Sequence, residues 1–146
     1  MTGWLARLGL AIMAASAVGV AIFSFRFFAV LFNAWPVIDI GIRGVINATP
    51  ITALTHMFIA PIALLVGPFQ FFSSLRARRP KVHRLCGRIY VAACVISGLG
   101  ALATSFYASG GPVAGFGFGL LAVCWIATSI GAWRAAVRRD SRFTGC

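Results

Sequence analysis

Apolar residues run through this chain in four long blocks, each closed by charge, proline or glycine. The blocks cover Trp4–Phe25, Ile51–Ser73, Leu85–Ala108 and Pro112–Ala136. Each is about 20 residues or more, which at 1.5 Å per residue crosses the roughly 30 Å hydrocarbon core of a bilayer. Lipid offers no partner to an exposed strand edge, so spans of this kind are helices. The pattern predicts an all-α, membrane-embedded bundle of four transmembrane helices, forming a single transmembrane domain over residues 1–146.

The polar positions set an orientation. A basic segment at 74–84 separates the second and third blocks and carries Arg76, Arg78, Arg79, Lys81 and Arg84, with Arg88 one turn further on. Loops rich in Lys and Arg stay in the cytoplasm, so this one is expected as a basic cytoplasmic loop. Arg7 near the start, Arg134 at the end of the fourth block, and Arg138, Arg139 and Arg142 after it fall on the same side. Only Arg26 and Arg43 fall on the other. The count gives an N-in, C-in topology, with Ser109-Gly110-Gly111-Pro112 as a tight outer turn. Trp4 and Trp133 near the inner ends, and Trp35 and Tyr107 near the outer ends, fit aromatic belts.

Residues 26–50 form the one long connection, expected as an outer interfacial segment with a helical turn or two. Trp35-Pro36 breaks its apolar stretch, and Asp39 and Arg43 stand at a pairing distance of four positions. Arg26 is expected to snorkel to the outer surface. Ala14-Ala15-Ser16-Ala17 is a passable cleavage site for a signal peptide. Apolar character continues past it to Phe25, so the first block is expected as an uncleaved span.

Composition agrees. Hydrophobic residues make up 60% and charged residues 10% of the chain, against about 25% charged in soluble domains. A net charge of +11 read alone suggests nucleic acid. Its confinement to the ends of apolar runs argues instead for a lipid bilayer with anionic lipids as the partner, with head groups binding Arg76, Arg78, Arg79, Lys81, Arg84 and Arg88. Cys86, Cys94, Cys124 and Cys146 show no paired spacing and read as small apolar side chains.

Small residues forecast the packing. Gly115 and Gly119 in the fourth block face the third, which offers Ala93, Ser97 and Ala101, then Gly100, Thr104 and Ala108. Pro61, and Gly67-Pro68 six residues on, predict a kink in the second block.

Few residues can carry chemistry. His56 stands within the second block near its outer end, and a histidine there is a candidate haem ligand or proton relay. The competing reading is an imidazole bonded to a backbone carbonyl or to Thr55 or Asn47. His83, in the basic segment, is a candidate haem or quinone ligand on the inner side. The two cannot clamp one haem within a single chain, because about 25 Å of span separates them. Gln70 is expected to hydrogen-bond across helices or touch a head group. Arg88 and Tyr90 could form an inner-face anion site with Arg84, beside the plainer reading of lipid anchoring. No nucleophile–base pair, phosphate loop, dinucleotide fingerprint, paired carboxylates or zinc spacing is present.

A resemblance covers about Thr52–Asp140. It is carried by His56, by Gly67-Pro68-Phe69-Gln70-Phe71, and by Arg76, Pro80 and the block His83-Arg84-Leu85-Cys86-Gly87-Arg88-Ile89-Tyr90. Gly110-Gly111, Gly115-Phe116, Trp125 and Thr128 add to it. These residues resemble the domain of unknown function 2306 family of predicted bacterial multi-span membrane proteins. The resemblance implies a multi-pass protein of the bacterial cytoplasmic (inner) membrane, with no assigned activity. It also implies a C-terminally shortened member, since a histidine-arginine-tryptophan-methionine segment of the family is replaced here by Ser141–Cys146.

Three functions remain open at this point. The first is a non-enzymatic accessory or structural membrane component, associating with a second copy or a partner membrane protein. The second is a haem- or quinone-linked electron-transfer protein using His56 and His83. The third is a subunit of a small-solute transporter.

Overall fold

The computed structural model describes residues 2–32 and 40–143. Among them every regular element is helical: α1 (Thr2–Ser24), a 3-10 helix (Phe25–Phe32), α2 (Ile40–Ala48), α3 (Pro50–Val66), a 3-10 segment (Gly67–Phe71), α4 (Ser73–Arg78), α5 (Pro80–Ser105) and α6 (Gly111–Phe143). Four stretches, Gly3–Phe28, Pro50–Phe71, Pro80–Ser105 and Gly111–Arg138, are long and apolar enough to cross a membrane. They coincide with the four blocks of the sequence.

Prolines set the helix starts. Pro50 and Pro80 each open their helix, where the missing N–H costs nothing and the fixed φ is already helical. Pro112 follows Gly111, whose φ of +77° lets the chain reverse out of the 106–110 turn into α6. Pro61 lies inside α3 without ending it. The break comes instead at Gly67-Pro68, where α-helix gives way to the 3-10 segment and then to extended backbone at Phe72.

Two expectations change here. The second span is α-helical only to Val66, because the Gly67-Pro68 pair removes a helical donor. The basic segment 74–84 is mostly not a loop. Residues to Arg78 belong to α4, Arg79 alone interrupts, and Lys81, His83 and Arg84 lie in the first turns of α5. Charge marks where a span leaves hydrocarbon, whereas Arg, Lys, Leu and Ala all favour helix and continue it past that point. In the 26–50 connection, α2 supplies nine helical residues. Trp35 and the pairing of Asp39 with Arg43 lie outside the described residues.

The spans pack in chain order, α1 on α3, α3 on α5 and α5 on α6, so they stand in a row with α5 central. Large apolar side chains on the outer helices face outward, as with Ile22 at 64% and Phe116 at 76% exposure. Only lipid makes such a surface favourable. Small residues make up the buried positions of α3, α5 and α6: Ala53 and Ala63 of α3, Ala93, Cys94, Ser97, Gly98 and Gly100 of α5, and Ala122 of α6 among them.

Glycine makes the closest approaches. A Cβ on Gly100 would lie 2.7 Å from the Thr52 carbonyl oxygen of α3, and one on Gly115 would lie 2.7 Å from the Ser105 carbonyl oxygen of α5. A Cβ on Gly119 would lie 3.1 Å from the Ser105 hydroxyl. The forecast pair Gly115 and Gly119 does therefore seat α6 on α5. Hydroxyls within the spans are satisfied inside their own helix: Thr104 Oγ1 donates to Gly100 O at 3.0 Å, Ser105 Oγ to Leu102 O at 2.7 Å and Thr128 Oγ1 to Cys124 O at 2.8 Å.

Gly100→Ala forces α3 and α5 apart at backbone atoms and should cost on the order of 1–3 kcal/mol. Gly9→Ala, which meets nothing within 4 Å, should leave stability unchanged. Thermal or denaturant unfolding in detergent distinguishes the two, and equal stability of both variants would contradict the close approach.

Candidate functional site

The basic end of the bundle also holds a cleft. The Gly67–Phe71 segment returns the chain across α5, and the C-terminal half of α6 runs back along the other side. Between them a cleft of about 770 Å³ opens beside the first turns of α5. Volumes of this size are ordinary for sites that hold a small molecule.

Two glycines let the walls close. A Cβ on Gly67 would lie 3.1 Å from the Tyr90 ring, and one on Gly87 would lie 3.1 Å from Gln70 Oε1. Tyr90 therefore lies against Gly67, and the Gln70 amide lies over Gly87. His83, Gly87 and Tyr90 recur at i, i+4 and i+7, one stripe of α5, and all three line the cleft. Arg84, Arg88 and Val91 form the adjacent stripe and line it too. Arg76 of α4 and Thr128, Ser129, Ala132 and Trp133 of α6 contribute further wall. Tyr90 packs below against Ala63, Ala93 and Cys94, alongside Ile59 and Trp125, which anchors the inner end of the cleft in the core.

The polar character is graded. The α5 wall runs from Pro80 to Val91, about 16 Å along the axis at 1.5 Å per residue. Arginines and His83 occupy its outer two turns, and Tyr90 and Val91 its inner end. Gln70 Nε2 and His83 Nδ1 are both buried and have no hydrogen-bond partner among the described residues. Leaving a buried polar group unpaired costs about 1–3 kcal/mol, so two in one cleft stand out. Among the described residues that line the cleft, none is acidic. The N-terminus of the 26-residue helix α5 opens at the same place and adds its positive dipole end.

The residues singled out in the sequence separate into groups. Arg84, Arg88 and Tyr90 do come together, and His83 and Arg76 join them. Arg78, Arg79 and Lys81 are exposed at the same end and do not line the cleft. Gln70, expected to bond across helices, leaves its amide nitrogen unpaired among the described residues. The α6 wall, Trp133 above all, was not foreseen. Nothing in a single sequence aligns a position of α6 with one of α5 before the turn between them is built.

His56 lies elsewhere. Its Nδ1 is 3.0 Å from the Ser97 carbonyl oxygen of α5. A carbonyl only accepts, so Nδ1 carries the hydrogen and donates it, which is the backbone-carbonyl reading of this residue. In the neutral ring the lone pair then lies on Nε2. Since His56 is level with Ser97, and His83 stands fourteen positions earlier on the same helix, about 21 Å of axis separates the two imidazoles. They belong to different levels of the bundle. At the far end, Arg26 is not a simple snorkelling side chain: its guanidinium stacks over Phe23 at 4.3 Å and Phe27 at 5.5 Å.

Residues 53–144 match the family model described as a predicted membrane protein of domain of unknown function 2306. With four helices able to cross a bilayer, the class is that of integral, multi-pass membrane proteins. The chain belongs to the domain of unknown function 2306 family, for which no activity is assigned. No curated protein and no solved structure matches it. The contacts Gly67–Tyr90 and Gln70–Gly87 join the two blocks that carry the family resemblance, so those blocks build one site.

His56→Phe keeps the ring's volume and removes the bond to Ser97. It should lower unfolding free energy by about 0.6 kcal/mol, the average for interhelical hydrogen bonds in membrane proteins, and by no more than about 1.7 kcal/mol. Equilibrium unfolding in detergent measures this, and unchanged stability would mean that the bond contributes nothing to joining α3 and α5.

Proposed function

We propose that this protein is a non-enzymatic accessory or structural component of the bacterial inner membrane, with its basic end and both termini on the cytoplasmic side, where it engages anionic lipid head groups. The observation that carries the reading is the gathering of basic side chains at one end of the bundle. Arg76, Arg78, Arg79, Lys81, Arg84 and Arg88 surround the entry to α5. Arg7 shares a small cavity with Phe71 and Ser73 beside them. The cleft joins this entry to the part of α6 that carries Arg134 and Arg138. The opposite end holds Arg26 and Arg43. Such asymmetry favours retention of the richer end in the cytoplasm, where juxtamembrane cations attract acidic lipids. At 33 residues α6 is about 50 Å long, which carries its arginines beyond the hydrocarbon into the head-group layer.

In a cysteine-free background, Ser74→Cys at the basic end should resist a membrane-impermeant maleimide applied to intact cells, and Ser109→Cys at the other end should react. Both positions are exposed. The reverse labelling pattern would overturn the orientation.

A second reading, a haem-linked electron-transfer protein, is favoured by one observation. In the neutral imidazole, the bond from His56 Nδ1 to Ser97 O leaves the lone pair on Nε2, the arrangement in which a metal-ligating imidazole is usually held. If it is right, protein purified from haem-replete cells shows a Soret band and a reduced-minus-oxidised α-band that His56→Ala abolishes. A spectrum without these bands removes this reading.

A further inference from the structure

We propose that the cleft between the Gly67–Phe71 segment, α5 and α6 is a specific site for the head group of one anionic phospholipid. Its phosphate is held by Gln70 Nε2, His83 Nδ1 and the Arg88 guanidinium, and an acyl chain lies along the inner wall. This rests on the reading that the basic end meets lipid head groups, and sharpens it from a general attraction to a single bound molecule.

Three independent features converge on that ligand. The first is the pair of buried nitrogens, Gln70 Nε2 and His83 Nδ1, that no described residue satisfies. The amide nitrogen can only donate. The imidazole nitrogen donates in the tautomer that an anion would select. Their natural complement is an acceptor with several oxygens. The second is charge: Arg76, Arg84 and Arg88 line the same cleft, and none of the described side chains that line it is acidic. Guanidinium groups fit phosphate through two parallel hydrogen bonds. Donors from two separate elements, α5 and the 67–71 segment, with Arg76 of α4 lining the same cleft, suit a tetrahedral phosphate better than a planar carboxylate. The third is the gradient along the cleft. Donors and cations of α5 occupy the end nearest the helix start, and Tyr90 and Val91 continue its wall inward, Tyr90 packing on Ala63, Ala93 and Cys94. Thr128 ties its hydroxyl to the Cys124 and Trp125 carbonyls, so it adds no free donor at the inner end. A head group at the interface with a chain running inward has the same polarity order. A soluble phosphate ester would leave the apolar part of the cleft unfilled.

The test is retention of lipid by the full chain in mixed phosphatidylglycerol–phosphatidylcholine detergent micelles, read by native mass spectrometry. The natural chain should keep one phosphatidylglycerol through detergent exchange and release phosphatidylcholine. Gln70→Glu combined with His83→Ala should reduce that retention by more than about tenfold, since two charge-assisted hydrogen bonds are lost and each alone is worth about that factor. Arg78→Gln combined with Lys81→Gln removes two charges outside the cleft and should keep the lipid. If the double cleft variant is not monodisperse, His83→Ala alone reads the same contact. Equal loss in both pairs would show diffuse attraction to the basic end, overturning the specific site while leaving the broader reading intact. Equal retention of phosphatidylcholine would also overturn it. Displacement of the lipid by dissolved glycerol phosphate, with cleft-dependent binding of that ester, would identify a soluble phosphate ester as the ligand in its place. Maleimide labelling of Ser74→Cys from outside the cell would remove the underlying orientation, independently of any of these results.

Discussion

The structure depends on how closely α5 can approach its two neighbours. In lipid there is no water to expel from between helices, so association rests on van der Waals contact and on the few hydrogen bonds that cross. Gly100 brings the backbone of α5 against that of α3, and Gly115 brings α6 against the end of α5. The His56–Ser97 bond adds one polar tie at the first of these interfaces. With the helices this near, small buried residues such as Ala63, Ala93 and Cys94 fill the remaining space. The large apolar side chains are left for the outer surface, where lipid accepts them.

That division of labour also explains where a site can form. Along most of α5 the neighbours are too close to leave room. At its first turns the pattern changes: the Gly67-Pro68 pair ends α3, the chain swings across as a 3-10 segment, and the walls part. The opening coincides with the basic end of the molecule. A gap between helices in hydrocarbon would be lined by apolar atoms. One at this level collects arginines, a glutamine and a histidine, because the sequence needs polar groups there to meet the interface. The cleft thus arises from the same break that ends the second span.

Much of the fold was legible in advance. Block length and apolarity gave the four spans, and glycine spacing gave the α5–α6 contact. The helical character of residues 74–84 does not show in the apolar pattern, because the polar boundary of a span is not the end of its helix. Arg84, Arg88 and Tyr90 were readable as neighbours, since helical spacing alone places them within two turns. Gln70 beside Gly87, and Tyr90 against Gly67, were not, since they depend on the angle at which the chain leaves α3. The unpaired state of Gln70 Nε2 is likewise a property of packing, with no sequence signal.

Sequence by itself determined that this protein crosses a membrane, through helices, with its cations at one end. Those properties follow from summed transfer free energies along each block and from the need of every backbone group in lipid for a partner. Tertiary structure alone decided which of those cations share a cleft, and that His56 is tied to the Ser97 carbonyl of α5. Such relations are set by crossing geometry and by contacts between residues distant in the chain, which local periodicity does not encode.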